Sequence, residues 1–156
     1  MVTTDELLTE LIKTQKELVD ELRWQTHMNL RELNVRTTTV TSIETQGKTE
    51  IYNQKKRAGE IVFGSVTGLS DKLSMRIFVD NFTPIEFPKI SDLVSAGATD
   101  VNDVLWVKNV GGGIYSMFSN FKFTFKDNIT IEAVNKGSST ITMLAAEVVS
   151  RLRGVT

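Results

Sequence analysis

The sequence predicts a mainly β protein, a jelly-roll-like antiparallel β-sandwich preceded by a long N-terminal α-helix. Three observations predict it. Residues 4–33 hold no Pro or Gly and carry apolar side chains at helical spacing. From Thr49 onward, short alternating stretches are separated by Gly, Asn and Asp turn signals. Between the two lies a threonine-rich run whose β-branched side chains disfavour helix. The expected organisation is therefore a helix at 1–33, a linker or edge strand at 34–48, and a β-sandwich domain at 49–156.

Composition narrows the function classes. The 156 residues carry a formal net charge of −1, so no overall basic field argues for nucleic acid. There is no cysteine, hence no disulfide framework, thiolate metal site or thiol nucleophile. Early acidic residues and the lack of an apolar run argue against a signal peptide, and no stretch approaches the roughly 18 apolar residues that span a bilayer.

Thr3 and Glu6 have capping-box spacing, and Asp5 and Glu6 suit the positive end of the helix dipole. Written as heptads, Leu8, Gln15, Leu22 and Asn29 share one seam position, and Leu11, Leu18, Gln25 and Glu32 the other. Ile12, Val19, Thr26 and Leu33 lie beside them. The seam is apolar in its first half and polar in its second, and a polar seam residue specifies register and oligomer state at some cost in stability. Two readings stand: a helix packed on its own domain, or an intermolecular bundle. The bundle is favoured because the stripe precedes the β region and is not interleaved with it. Its expected interface is Leu8, Leu11, Ile12, Gln15, Leu18, Val19, Leu22, Trp24 and Gln25. Trp24 joins because an aromatic off the stripe has no obvious partner in its own chain.

The run Asn34 to Lys48 reads as a link that pairs as an edge strand, anchored by Val35, Val40 and Ile43. Glu50–Tyr52 is a short strand, and Gln54–Gly59 a loop. Glu60–Val66 is a second strand, with Gly64 a candidate bulge. Leu73, Met75, Ile77 and Val79 alternate with polar or exposed positions, Asp80-Asn81 is turn chemistry, and Ile85–Phe87 returns between two prolines. Lys89–Ala96 suits a short helix with Ser91 as N-cap, Leu93 and Val94 inward, and Gly97 as its stop. Asp103–Val110 is a strand ended by Gly111-Gly112-Gly113. Phe121, Phe123 and Phe125 form one face of the next, Ile129–Val134 follows, and Thr140–Leu152 closes the chain after a turn at 135–138.

The succession RIFVDNFTPIEFPKISDLVSAG, then FSNFKFTFKDNITIEAVN, then a last strand ending in SRLR, resembles small jelly-roll modules of tailed-phage and archaeal-virus virion proteins. The residues that carry the resemblance are Asp80-Asn81, Ile90-Ser91-Asp92-Leu93, Phe121-Lys122-Phe123, and Ile129-Thr130-Ile131 with Asn135. It spans about Ala58 to Arg153, and Asn81 stands where the family more often has Gly after the Asp. The resemblance implies a capsid decoration, tail fibre, or vertex or neck part, located in the virion and assembled in the host cytoplasm. Its partners would be other virion proteins and copies of itself, a trimer by analogy with fibres.

The search for chemistry points away from catalysis. His27 is the only histidine, and no nucleophile motif accompanies it. Asp100, Asn102 and Asp103 lack the Gly and the Glu of a calcium loop, and Gly111–Gly113 lacks the Lys of a phosphate loop. No catalytic residue, metal ligand or cofactor site is expected, and no contact with nucleic acid or membrane. Lys55-Lys56-Arg57 reads as a solvated loop, with contact to an acidic neighbour as the sharper alternative. The expected function is a non-enzymatic virion structural protein that assembles through its helix. The alternative is a host-surface module that binds a glycan or receptor through a loop bearing Tyr115 and Phe118.

Overall fold

The computed structural model describes residues 2–29, 33–99, 104–120 and 122–153, and no side chain of residues 23–29 or 33–35. Its elements are α1 (Thr4–Asn29), β1 (Leu33–Thr38), β2 (Thr41–Ile43), β3 (Lys48–Gln54), β4 (Gly59–Gly68), β5 (Leu73–Val79) and β6 (Ile85–Glu86). There follow α2 (Ile90–Ser95), β7 (Leu105–Gly111), β8 (Ile114–Ser119), β9 (Phe123–Phe125), β10 (Ile129–Asn135) and β11 (Ile141–Leu152). The chain is mainly β, in antiparallel sheets after an N-terminal helix.

One sheet runs β1-β11-β4-β8-β7, with β2 continuing β1 along β11 and β9 continuing β8 along β4. The other runs β3-β10-β5-β6. Alternation along the strands sends one set of side chains into a shared core: Ile51, Met75, Ile77, Ile129 and Ile131 from the smaller sheet, Ile61, Val66, Met117, Phe125, Met143 and Val148 from the larger. The Tyr52 hydroxyl crosses between sheets and donates to Ser150 Oγ at 3.0 Å, which satisfies two buried polar groups.

Of its two readings, linker and edge strand, the threonine-rich run takes the second. It supplies β1 and β2, both paired to β11, with Ile43 buried. The β body therefore begins at Leu33, not at Thr49, and α1 ends at Asn29. The bulge in β4 lies at Val62, where the pairing with β11 slips between Val149 and Ser150, and not at Gly64. Lys89, not Ser91, is the N-cap of α2, with no side-chain cap bond. Ser91 sits inside the helix and accepts from Lys72 Nζ at 3.4 Å. Ile90 and Leu93 are its buried pair, and Val94 faces out, because a helix this short buries only one stripe. Gly97 ends α2 at φ 78°, as its position after the helix requires. Phe125 is buried and Phe123 packs against the core, whereas Phe121 lies outside the described residues.

Two hydrogen-bonded hubs pin opposite ends of the body. At one end the buried Asn135 amide donates to the carbonyls of Ile43 (2.9 Å) and Ser139 (2.8 Å) and accepts from Gly137 N–H (2.8 Å). At the other, Asp80 sits at φ 47° and its carboxylate accepts the backbone N–H groups of Lys126 (3.0 Å), Asp127 (2.8 Å) and Asn128 (2.9 Å). Asn128 Oδ1 in turn accepts Lys56 N–H at 3.2 Å, so three loops close on one another. Desolvation raises the Asp80 pKa, but the three N–H donors and the charge of Lys126 outweigh it, and the net shift is downward.

The sign follows from that lowered value. The clamp contributes fully above the ordinary Asp value and is lost as pH falls through the folded one. Asp80→Asn, which tolerates the same backbone, is expected to cost about 1–2 kcal/mol at pH 7. The urea midpoints of the two proteins should converge as pH drops below about 3.9.

Candidate assembly surface

The first turn of α1 forms as its spacing requires. Thr3 N–H donates to Glu6 Oε2 at 2.8 Å and Glu6 N–H to Thr3 Oγ1 at 3.2 Å, a reciprocal capping box. Thr9 and Thr14 are helix-tolerated because their hydroxyls donate to the carbonyls of Asp5 and Glu10. Twenty-six residues give a rod of roughly 40 Å.

The apolar stripe of that rod faces solvent. Leu7, Leu8, Leu11, Ile12, Leu18, Val19 and Leu22 are 45–60% exposed, the extremes being Val19 and Leu7. Gln15 is exposed on the same stripe. Among the described residues no strand or helix packs substantially on α1, and the shared core contains none of its residues. Burying the exposed half of each of these side chains is worth roughly 1 kcal/mol. Seven of them together come to about 7 kcal/mol, within the roughly 5–15 kcal/mol net stability of an ordinary domain. Left in water, the stripe forgoes a contribution of that size.

Leu8, Leu11, Ile12, Gln15, Leu18, Val19 and Leu22 thus all lie on one exposed surface, and Leu7 extends it. Trp24, Gln25 and His27 belong to α1, and their side chains lie outside the described residues.

Tyr115 and Phe118 are not on a loop. Both lie within β8, where pairing with β4 and β7 holds them in the sheet. Tyr115 packs against the core. Phe118 stacks on Trp106 at 4.0 Å between ring centroids and 16° between planes, with Phe63 at 6.2 Å on its other side. Each ring covers its neighbour, so the trio is half-buried on the outer face of the larger sheet. Trp106 Nε1 is buried with no hydrogen-bond partner.

Two features were not read from sequence. Phe82, 74% exposed in the turn after β5, is the one mostly exposed aromatic among the described residues. An aromatic directly after the Asp80-Asn81 turn pair was the available signal, since the chain reverses there and cannot aim it at the core. It shares the end of the body with Lys55, Lys56 and Lys126, and that is the end where β1, the strand after α1, begins. Glu132 is the other. It is buried on β10, with Lys48 Nζ at 3.1 Å from Oε2 and Arg76 Nη1 at 3.9 Å from Oε1, an ion group in a strand that otherwise reads as Ile-Thr-Ile.

The remaining sequence candidates do not form a reactive site. Gly111, Gly112 and Gly113 all have positive φ and form the β7–β8 hairpin, the conformation that only glycine adopts freely. Asp100, Asn102 and Asp103 lie outside the described residues. Among the described residues no three His, Cys, Asp or Glu gather as metal ligands, and no helix is long and apolar enough to cross a membrane.

No family model and no curated protein matches this chain. Among solved structures it is similar to a serine protease of Aeromonas sobria, at 10% identity and a TM-score of 0.38. That match covers 80% of this chain and 28% of the protease chain, and likeness at this level carries no argument about fold or activity.

The aromatic trio supplies a stability test. Trp106→Phe keeps a stacked ring and removes the buried donor, so the urea midpoint is expected to hold or rise. Phe118→Ala, which strips the ring between Trp106 and Phe63, is expected to cost about 2 kcal/mol in the same measurement.

Proposed function

We propose that this chain is a non-enzymatic structural subunit of a virus particle. It assembles through α1 as a homo-oligomer, a trimer by analogy with fibres, and displays or cements a jelly-roll body on the capsid or tail. The observation that carries the assembly step is the exposed apolar stripe of α1, on a rod none of whose described side chains takes part in the core of its own body.

Strand order supports the jelly roll. Such a fold is an antiparallel ribbon of eight strands, pairing first with eighth, second with seventh, third with sixth and fourth with fifth, rolled into two sheets. Taking β1 with β2, and β8 with β9, as single interrupted strands, all four pairings are present: β1/β2 with β11, β3 with β10, β4 with β8/β9, β5 with β6. Rolling the ribbon brings the eighth strand beside the third and the seventh beside the fourth, as in β11–β4 and β10–β5. β7 is then an addition at one edge. The virion setting draws on the sequence resemblance, whose Asp80 and Asn135 are the two hydrogen-bonded hubs. The absence of cysteine and the single His27, carried on the helix, support a role without catalysis.

Host-surface binding has less support. It calls for exposed aromatics on the loops far from the helix, whereas Tyr115 and Phe118 are sheet residues and Phe82 lies at the helix end.

Leu11→Asp combined with Leu18→Asp tests the assembly step by light scattering. The wild type is expected at a multiple of 17.4 kDa and the variant at the monomer mass, with the melting of the β body unchanged. A variant that keeps the wild-type mass would sink the helix as the assembly element.

A further inference from the structure

We infer that α1 associates with copies of itself in parallel and in register, so that every β body hangs from the same end of the stem. This rests on the reading of α1 as the assembly element and adds the orientation of its partner.

The argument turns on Gln15. It interrupts an otherwise apolar seam, one turn after Leu11 and Ile12 and one turn before Leu18 and Val19, and it is exposed with them. In a parallel, in-register bundle each Gln15 meets Gln15 of the neighbouring copies. An amide both donates and accepts, so such a layer satisfies itself. Antiparallel helices instead pack each seam position against the other kind in the partner. One such register sets Leu8 against Leu18 and Gln15 against Leu11. A second sets Gln15 against Leu18 and Leu8 against Gln25. Both bury an amide against a leucine, which is costly without a hydrogen bond. A third sets Gln15 against Gln25 but carries Leu8 and Leu11 past Leu22, beyond the apolar stripe, and gives up their leucine contacts.

Two further features agree with a second copy as the occupant. The apolar stretch from Leu7 to Leu22 is about 23 Å long, enough for several seam layers. Ile12 and Val19, beside the seam, widen the stripe beyond what two helices cover and suit three or more. Past Leu22 the seam turns polar at Gln25 and the chain passes into β1. The stem thus loses its adhesive face where the bodies begin.

The chain has no cysteine, so an introduced one reports geometry directly. Full-length Leu8→Cys and Leu18→Cys, each alone and after mixing through denaturant, are oxidised mildly. Linked pairs are scored by denaturing electrophoresis, and self and mixed pairs are told apart by mass spectrometry of their disulfide-linked peptides. The assembly mass is taken by light scattering. The parallel arrangement is expected to link each variant to itself and to give no mixed pair. An antiparallel pairing of Leu8 with Leu18 holds the two substituted Leu8 positions about 15 Å apart, beyond disulfide reach, and gives the mixed pair instead. Mixed pairs, or a Leu8→Cys protein that does not link to itself, from an assembly at a multiple of 17.4 kDa would overturn the orientation and leave the assembly reading intact. A monomer would overturn both. Gln15→Leu is expected to assemble with a higher melting temperature into species of several masses. A single unchanged mass would remove the role given to Gln15.

Discussion

The ladder that β11 makes on both of its edges is the constraint from which the rest of the architecture follows. One edge takes β1 and β2, the first strands of the body, and the other takes β4. The first and last strands of the body are thereby fixed to one another, Leu33 opposite Arg151. Gly59 shows how close the packing is around this strand, since a Cβ there would come within 2.5 Å of the Arg151 carbonyl. With the last strand holding the first, the body closes on itself, and no described residue of α1 enters its core. β1 begins at the end where Asp80, Lys56 and Asn128 join their loops.

From that exclusion the functional reading is built. A helix inside a fold has its apolar stripe covered by the fold; here the strands build a core that includes none of the described side chains of α1. The sequence nonetheless keeps seven large apolar side chains on one face and closes the first turn with a capping box. The capping box sets where the rod begins; on the proposed reading the stripe is the face that adheres, and Gln15 limits the ways in which that face can meet another. Six carboxylates against three basic residues between Thr4 and Asn29 keep the remaining faces hydrated. The body contributes rigidity, with Asn135 and Asp80 closing its two ends.

Much of this was legible in the sequence, for local reasons. Capping-box spacing, helical periodicity and two-residue alternation are short-range signals, and α1, β5 and β10 follow them closely. The threonine-rich run was harder. Its β propensity was plain and an edge strand was one of its readings, but nothing local reveals that β11, more than a hundred residues later, is its partner, and so it read as separate from the β body. Val94 and Ser91 were misplaced because a six-residue helix has too few positions to define a face by pattern alone. Tyr115 and Phe118 followed a run of three glycines and looked like loop residues; the hairpin is so tight that both already lie in the returning strand. The burial of Glu132 was hidden for another reason, since it depends on Lys48 and Arg76 from the two neighbouring strands.

The central claim is that the β body is complete without α1 and that α1 exists to join copies. Absolute molar mass, measured by light scattering on the full chain and on a chain beginning at Leu33, tests it most directly. The account predicts a full chain at a multiple of 17.4 kDa and a folded, monomeric body from Leu33 onward. A shortened chain that still assembles, or a full chain that stays monomeric, would contradict it.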